Sequence, residues 1–180
     1  MVEILILSLR VFQALLLAAA VLVVIWLVFL SLPGLMRGAP FVGTRPESLK
    51  AMLDLAVLRS GETVVDLGSG DGRLLFAAAR AGCRAVGYEI NLFLVWSSRW
   101  RAWRLGLSPR VTVRWGSFWK ARLDEADVVL VFGFSNIMAD LAKKLADELR
   151  PGARVVSLRY ELSAWPAAGR SGEARLYLKK

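Results

Sequence analysis

Residues 64–73, VVDLGSGDGR, place three glycines and two aspartates directly after a hydrophobic run. Glycine tolerates positive φ and lets another group come close to the backbone, because no Cβ stands in the way. An aliphatic run that gives way to such a turn, and then to the helical pattern of GRLLFAAARAG, predicts a strand–loop–helix unit. The chain repeats this alternation. TVVDL, RAVGYEI, RVTVRW, ADVVLVFGF and ARVVSLRY read as strands, while LFLVWSSRWRAWRLG and NIMADLAKKLADELRPG read as further helices. A helix over about residues 45–58 precedes the first strand, with a capping-box pattern in Thr44 and Glu47, Pro46 in its first turn and Gly61 as its stop. The order β-α-β-α-β-β-α-β predicts an α/β chain with a Rossmann-like, doubly wound, mostly parallel sheet covered on both faces. GSFWKARLDE is short for a third crossover, and EARLYLKK is the one convincing strand after the fifth, expected at the sheet edge.

Ahead of this pattern lies a segment of another kind. No charged residue occurs from position 11 to position 36, and VFQALLLAAAVLVVIWLVFLSL is apolar apart from Gln13 and Ser31. As a helix that segment would be ~33 Å long, against ~30 Å of bilayer hydrocarbon. A cleaved signal peptide carries a shorter apolar region of ~7–15 residues and a small-residue cleavage site, and a soluble helix keeps a polar face. The expectation is one transmembrane helix, with residues 1–36 as a membrane anchor and residues 37–180 as a separate domain. Glu3 and Arg10 precede the span, whereas Arg37, Arg45 and Lys50 follow it. The positive-inside rule then gives a single-pass protein with its C-terminal domain on the cytoplasmic side, or a mitochondrial membrane protein if the source is eukaryotic.

Charge and composition narrow the function classes. Of the 24 basic and 15 acidic residues, all but Arg10 and Glu3 lie beyond residue 36, so the net charge of +9 belongs to the domain. The anionic face of the lipid bilayer is the expected partner for that charge. Nucleic acid is not expected, because no basic tail, RNP-like motif or zinc spacing accompanies it. The lone Cys83 and the absence of histidine exclude an intramolecular disulfide, a histidine-dependent triad and histidine-ligated zinc, and no metal is expected.

In a doubly wound sheet, ligands bind beyond the carboxyl ends of the strands, and the loop after the first strand is the usual cradle. Here the pattern is Gly68-x-Gly70-x-Gly72 preceded by Asp66, a poor match to the dinucleotide fingerprint, and no Lys-Ser or Lys-Thr pair makes it a phosphate loop. An acid beside the loop suits S-adenosylmethionine, which carries an ammonium and a sulfonium but no pyrophosphate. Glu89, at the end of the second strand, is the expected acceptor for the ribose hydroxyls.

The segments VVDLGSGDGR, AVGYEIN and ELRPGARVVS resemble the first, second-strand and fifth-strand motifs of class I S-adenosylmethionine-dependent methyltransferases. A narrower resemblance, through APFVGT, LVWSSRWRAWR, FWK and KKLADELRPGARVVSLRY behind an apolar anchor, is to the membrane-anchored lysine methyltransferases that modify the ADP/ATP carrier and the c-type ring protein of ATP synthase, and to their prokaryotic relatives. The resemblance implies S-adenosyl-L-methionine as cofactor, S-adenosyl-L-homocysteine as product and a lysine of a membrane protein as acceptor. It further implies that Asp66, Gly68, Ser69, Gly70 and Gly72 form the methionine-side loop, with Asp71 shaping it. Glu89 would hold the ribose, Ile90 and Asn91 would border the adenine, Ser117 and Phe118 would close its other side, and Thr44 would sit near the carboxylate end. The family pattern has an acid where Ser117 stands, which leaves one adenine contact without its usual partner. It also has two strands after the fifth, so the C-terminal part reads as shortened.

No catalytic residue stands out. The turn GFSN, after the fourth strand, lies where a nucleophile should enter, and the Phe134 carbonyl or Asn136 could orient an amine; a helix cap by Ser135 or Asn136 is the favoured role. Trp96, Trp100 and Trp103 recur at helical spacing among Arg99, Arg101 and Arg104, and core packing is expected for most of that stripe, with a membrane-interface belt as the alternative. Two further functions fit the same residues: methylation of a lipid or other small membrane-associated molecule, and a non-catalytic S-adenosylmethionine-binding scaffold.

Overall fold

The computed structural model describes residues 1–37, 45–132, 135–163 and 165–180. The N-terminal helix α1 runs Val2–Arg37, and the described side chains over residues 1–28 are all exposed. Its Val2–Val28 stretch is long and apolar enough to cross a membrane, with a mean hydropathy of 2.8 and none of it buried.

The remainder forms a seven-stranded sheet in the order β3-β2-β1-β4-β5-β7-β6. Strands β1 (Thr63–Leu67), β2 (Arg84–Glu89), β3 (Val111–Trp115), β4 (Val128–Val131) and β5 (Arg154–Leu158) are mutually parallel. Strand β6 (Gly169–Ser171) and strand β7 (Ala174–Leu178) form an antiparallel hairpin whose second strand pairs with β5. The doubly wound, mostly parallel sheet expected from the sequence is therefore present. One detail differs: the terminal strand is not the edge but lies between β5 and β6. The three residues of β6 carry no alternating pattern from which a strand could be read, and pairing with β7 makes them one.

Helices α2 (Pro46–Ala56), α3 (Arg73–Arg80) and α4 (Leu92–Arg104) cover one face of the sheet, and α5 (Met138–Glu148) covers the other. On the first face Met52, Leu75, Ala78 and Val95 pack against Val64, Val128, Leu130 and Val156. On the second, Met138, Leu141 and Leu145 pack against Val65, Val129 and Val155. Strand β4, VVLV, is buried along its whole length, as expected of a central parallel strand covered on both sides. The short third crossover contains a single 3-10 turn, Phe118–Lys120, and then Ala121, Leu123 and Ala126 fill the place where a crossover helix would pack.

Two helix boundaries depart from expectation. Helix α2 has Arg45 at its N-cap with no side-chain cap, and it ends at Val57, which adopts φ 46° and closes a backbone hydrogen bond to the Leu53 carbonyl. Gly61 lies in the following turn, where its N–H donates to the Gly82 carbonyl. Helix α5 has Ile137 at its N-cap with no side-chain cap, so neither Ser135 nor Asn136 plays the capping role favoured above; both lie in a preceding 3-10 turn, Ser135–Ile137.

Candidate functional site

Because β1, β2 and β4 are parallel neighbours, their carboxyl ends open on one side of the sheet, and the chain leaves β1 in opposite directions towards β2 and β4. That switch point is where a ligand crevice forms in such sheets. The loop between β1 and α3 occupies it. Gly68, Gly70 and Gly72 have φ of 87°, 53° and 83°, a region costly for side-chain-bearing residues. The loop is anchored to β2 by the Gly68 and Ser69 N–H groups, which donate to the Tyr88 carbonyl at 2.9 and 3.0 Å. Gly72 stands at the N-cap of α3, so the loop leads directly into the partly positive end of that helix.

Glu89 ties this loop to the next one. Its Oε2 accepts from the Gly70 N–H at 2.9 Å and its Oε1 from the Asn91 N–H at 2.8 Å. Each carboxylate oxygen keeps a further lone pair, so the group can still accept from a vicinal diol. The Asn91 side chain caps α4, accepting from the Phe93 and Leu94 N–H groups, which fixes the direction in which that helix leaves the site. The third loop closes alongside: Gly116 donates its N–H to the Glu89 carbonyl at 2.9 Å, and the Trp115 indole donates to the Ile90 carbonyl at 3.1 Å. Ser117 caps the short 3-10 turn through Trp119 N–H, and the Phe118 ring stacks at a tilt on Trp119 with centroids 4.9 Å apart. Asp66, Gly68, Ser69, Gly70, Asp71, Gly72, Glu89, Ile90, Asn91, Ser117 and Phe118 thus belong to three consecutive loops at one edge of the sheet. Asn136 is exposed in the turn after β4, at the same carboxyl edge. Thr44 and Phe134 lie outside the described residues.

Two groups point to a ligand. Ser69 Oγ is buried without a hydrogen-bond partner, which is costly unless something else supplies one. Asp66 is only 3% exposed, and its carboxyl is pushed up to about 7 by burial first and then by the negative charges of Glu89 and Asp71. A Cβ built on Gly68 would meet nothing, so open space adjoins the backbone there. A crevice with surplus acid, an orphan hydroxyl and an accessible backbone fits a cationic, hydrogen-bonding molecule such as S-adenosylmethionine.

The structure also identifies three supporting residues that the motif reading did not single out. Gly87, opposite Asp66 in the β1–β2 register, has no room for a side chain: a Cβ there would lie 2.5 Å from Leu75 Cδ1 and 2.6 Å from Ser69 Oγ. An isolated glycine inside a strand was the available signal. From α4, the buried Ser98 hydroxyl donates to the Gly70 carbonyl at 3.0 Å, and Arg101 Nη1 donates to the Asp71 carbonyl at 3.1 Å and its carboxylate at 3.2 Å. Arg73 Nε also donates to that carboxylate, at 2.7 Å. The Asp71 side chain is therefore occupied in shaping the loop.

A doubly wound sheet with an acid–glycine crevice at its switch point defines the class I methyltransferase architecture. The similarity to solved structures agrees: an RNA methyltransferase from Salinibacter ruber in complex with S-adenosyl-L-homocysteine superposes with a TM-score of 0.71 at 33% identity, over 77% of this chain and 92% of that one. Residues 66–168 match the model of the ANTKMT methyltransferase domain, and the chain belongs to that family. Among its relatives, the adenine nucleotide translocase lysine N-methyltransferase of Mus musculus is 40% identical over 155 residues, covering 83% of this chain and 67% of the mouse protein. The lysine N-methyltransferase of the ATP synthase c-ring protein from Rattus norvegicus is 40% identical over 134 residues, covering 74% of this chain and 62% of the rat protein. A protein-lysine N-methyltransferase of Saccharolobus islandicus is 35% identical over 128 residues, covering 70% of this chain and 80% of its own length. The chain thus spans less than two thirds of the rat protein. The family match begins at Asp66, so α1 and α2 lie outside it.

Proposed function

We propose that the protein is an S-adenosylmethionine-dependent protein-lysine N-methyltransferase, with residues 1–36 as a membrane anchor, residues 37–180 as the catalytic domain and a membrane protein as substrate. The observation that carries the reading is the crevice between Asp66 and Glu89, with its unpartnered Ser69 hydroxyl, in a chain whose relatives are named lysine methyltransferases. Glu89 receives the ribose hydroxyls on its remaining lone pairs. Gly68, Ser69 and Gly70 line the methionine end, where Asp66 offers negative charge to an ammonium or sulfonium. Ile90, Asn91, Ser117 and Phe118 flank the adenine, and Thr44 belongs to the segment that would close the methionine end.

When bound, the cofactor supplies an activated methyl group on a positively charged sulfur. The amine lone pair forms the new N–C bond, the C–S bond breaks and sulfur keeps its electron pair. What the chain must do is hold the two reactants in line, an effect that supplies ~7–11 kcal/mol when the geometry is good. It must also present the lysine neutral, and withdrawal from water favours the neutral amine. Asn136 is placed to orient that amine, together with the carbonyl of Phe134. Helix α1 crosses the bilayer, and the charge distribution around it puts the domain on the cytoplasmic side, or in a mitochondrial membrane in a eukaryotic source.

One observation favours a second reading: the Salinibacter relative is described as an RNA methyltransferase, and the domain carries the net +9. Both readings meet the same experiment. The full chain in detergent is incubated with methyl-labelled S-adenosylmethionine and membranes or total RNA from its source. Label on lysine of a membrane-protein band supports the first reading, label on RNA replaces it with the second, and label in extracted lipid overturns both.

A further inference from the structure

Helix α4 turns its aromatic stripe outward. Phe93, Trp96, Trp100 and Trp103 are 75%, 69%, 53% and 69% exposed, whereas Val95, Ser98 and Ala102 form the buried face. Core packing, the role expected for most of the stripe, therefore does not hold. Four large aromatic side chains at one spacing, in water, form an unpartnered face of the size that marks an interaction surface. Arg104 lies over the Trp100 ring at 4.9 Å from its centroid, and Arg99 and Arg104 are both exposed beside the stripe.

We infer that this face of α4 is a second membrane contact, seated at the headgroup level of the bilayer that α1 crosses. The inference rests on the membrane reading of α1 given above. Three features select lipid as the occupant. Indoles and guanidiniums together are the side chains that settle at a bilayer–water interface, each with an apolar body and a polar edge. The domain's entire net charge of +9 complements an anionic leaflet. Helix α1, apolar and unburied, also approaches α4, so the stripe adjoins the segment that enters the membrane.

Seating α4 this way has a consequence for the site. The same helix holds the glycine loop from its inner side, through Ser98 on Gly70 and Arg101 on Asp71. The loop then stands about one helix diameter, ~10–12 Å, from the membrane surface. A lysine at headgroup level on a membrane protein is within reach of such a site, whereas one far out in solution has no advantage there.

The test uses the full chain carrying Trp26→Phe, which removes the indole of α1, reconstituted in anionic phospholipid vesicles without other protein. Quenching of tryptophan fluorescence by a lipid nitroxide at headgroup depth is compared with quenching by aqueous iodide, for this chain and for a version that also carries Trp96→Gln, Trp100→Gln and Trp103→Gln. Circular dichroism and S-adenosylmethionine calorimetry confirm that the second version is folded. The expected result is strong nitroxide quenching that is mostly lost in the triple variant. Equal nitroxide quenching in both, with the stripe open to iodide, overturns the inference and leaves a protein partner or a second copy as the occupant. Resistance to alkaline carbonate extraction reads α1 separately. A chain that stays in the membrane without stripe quenching refutes only the α4 contact, and a chain released by carbonate refutes the anchor while the quenching still decides α4.

Discussion

Replacing Asp66 by asparagine should remove a pH dependence of stability that the buried carboxyl imposes. Its pKa rises from 3.8 to about 7 on folding, chiefly through burial and secondarily through Glu89 and Asp71. The folded chain therefore keeps a proton that the unfolded chain gives up between those two values. Stability is greatest below the lower value, falls as pH rises through the window and levels off above about 7. Three pKa units correspond to about 4 kcal/mol, of which about 3 kcal/mol is lost between pH 5 and pH 8. Guanidinium denaturation of the full chain in mild detergent at those two pH values measures the slope. Asp66→Asn should flatten it and raise stability at pH 8, because the amide carries no charge to desolvate. If the cofactor places its cationic methionine end beside Asp66, saturating S-adenosylmethionine should also reduce the slope. Binding near pH 6 should then release a proton, visible by calorimetry in buffers of different ionisation heat. A wild-type chain and an Asp66→Asn chain with the same slope would refute the reasoning.

Three further substitutions separate the cradle from its support. Glu89→Gln keeps the shape but turns an amide N–H2 towards one of the two backbone donors that now meet a carboxylate oxygen; with charge-assisted bonds worth about 1.5–3 kcal/mol each, cofactor affinity should fall by tenfold or more in calorimetry. Gly87→Ala brings a methyl group to 2.6 Å from Ser69 Oγ and 2.5 Å from Leu75 Cδ1, so overpacking should cost about 1–3 kcal/mol in denaturation and lower cofactor affinity as the loop shifts. Tyr177→Phe deprives the Leu162 N–H of its acceptor, a buried contact of 3.2 Å, and should cost about 1–3 kcal/mol with cofactor affinity unchanged, since β7 is remote from the switch point.

The strands and the first loop were legible because each rests on local chemistry. TVVDL and VVLV are continuous apolar runs, which only a sheet covered on both faces accommodates, and positive φ at Gly68, Gly70 and Gly72 leaves few alternatives to glycine. Glu89 was legible from its place at the end of β2. What sequence could not give was set by distant partners. Strand β6 exists through its pairing with β7, α2 stops at Val57 through a backbone hydrogen bond rather than at a glycine, and Gly87 is needed because Ser69 and Leu75 occupy the space beside it.

Helix α4 shows why the size of a side chain misleads about which face is inside. A crossover helix must bury one stripe, and counting hydrophobicity points to the tryptophans. The buried stripe is instead Val95, Ser98 and Ala102, all small. Small residues let the helix backbone come close enough for the Ser98 hydroxyl to reach the Gly70 carbonyl and for Arg101 to reach Asp71, contacts that an indole at either position would hold apart. The demand for close approach to the glycine loop therefore fixes which residues face inward, and the tryptophans, left over from that demand, face outward. Their presence there is then a property of the surface, selected by what meets it rather than by the fold. A polar residue at each of the three positions would satisfy the sheet, the cap at Asn91 and the loop contacts equally well.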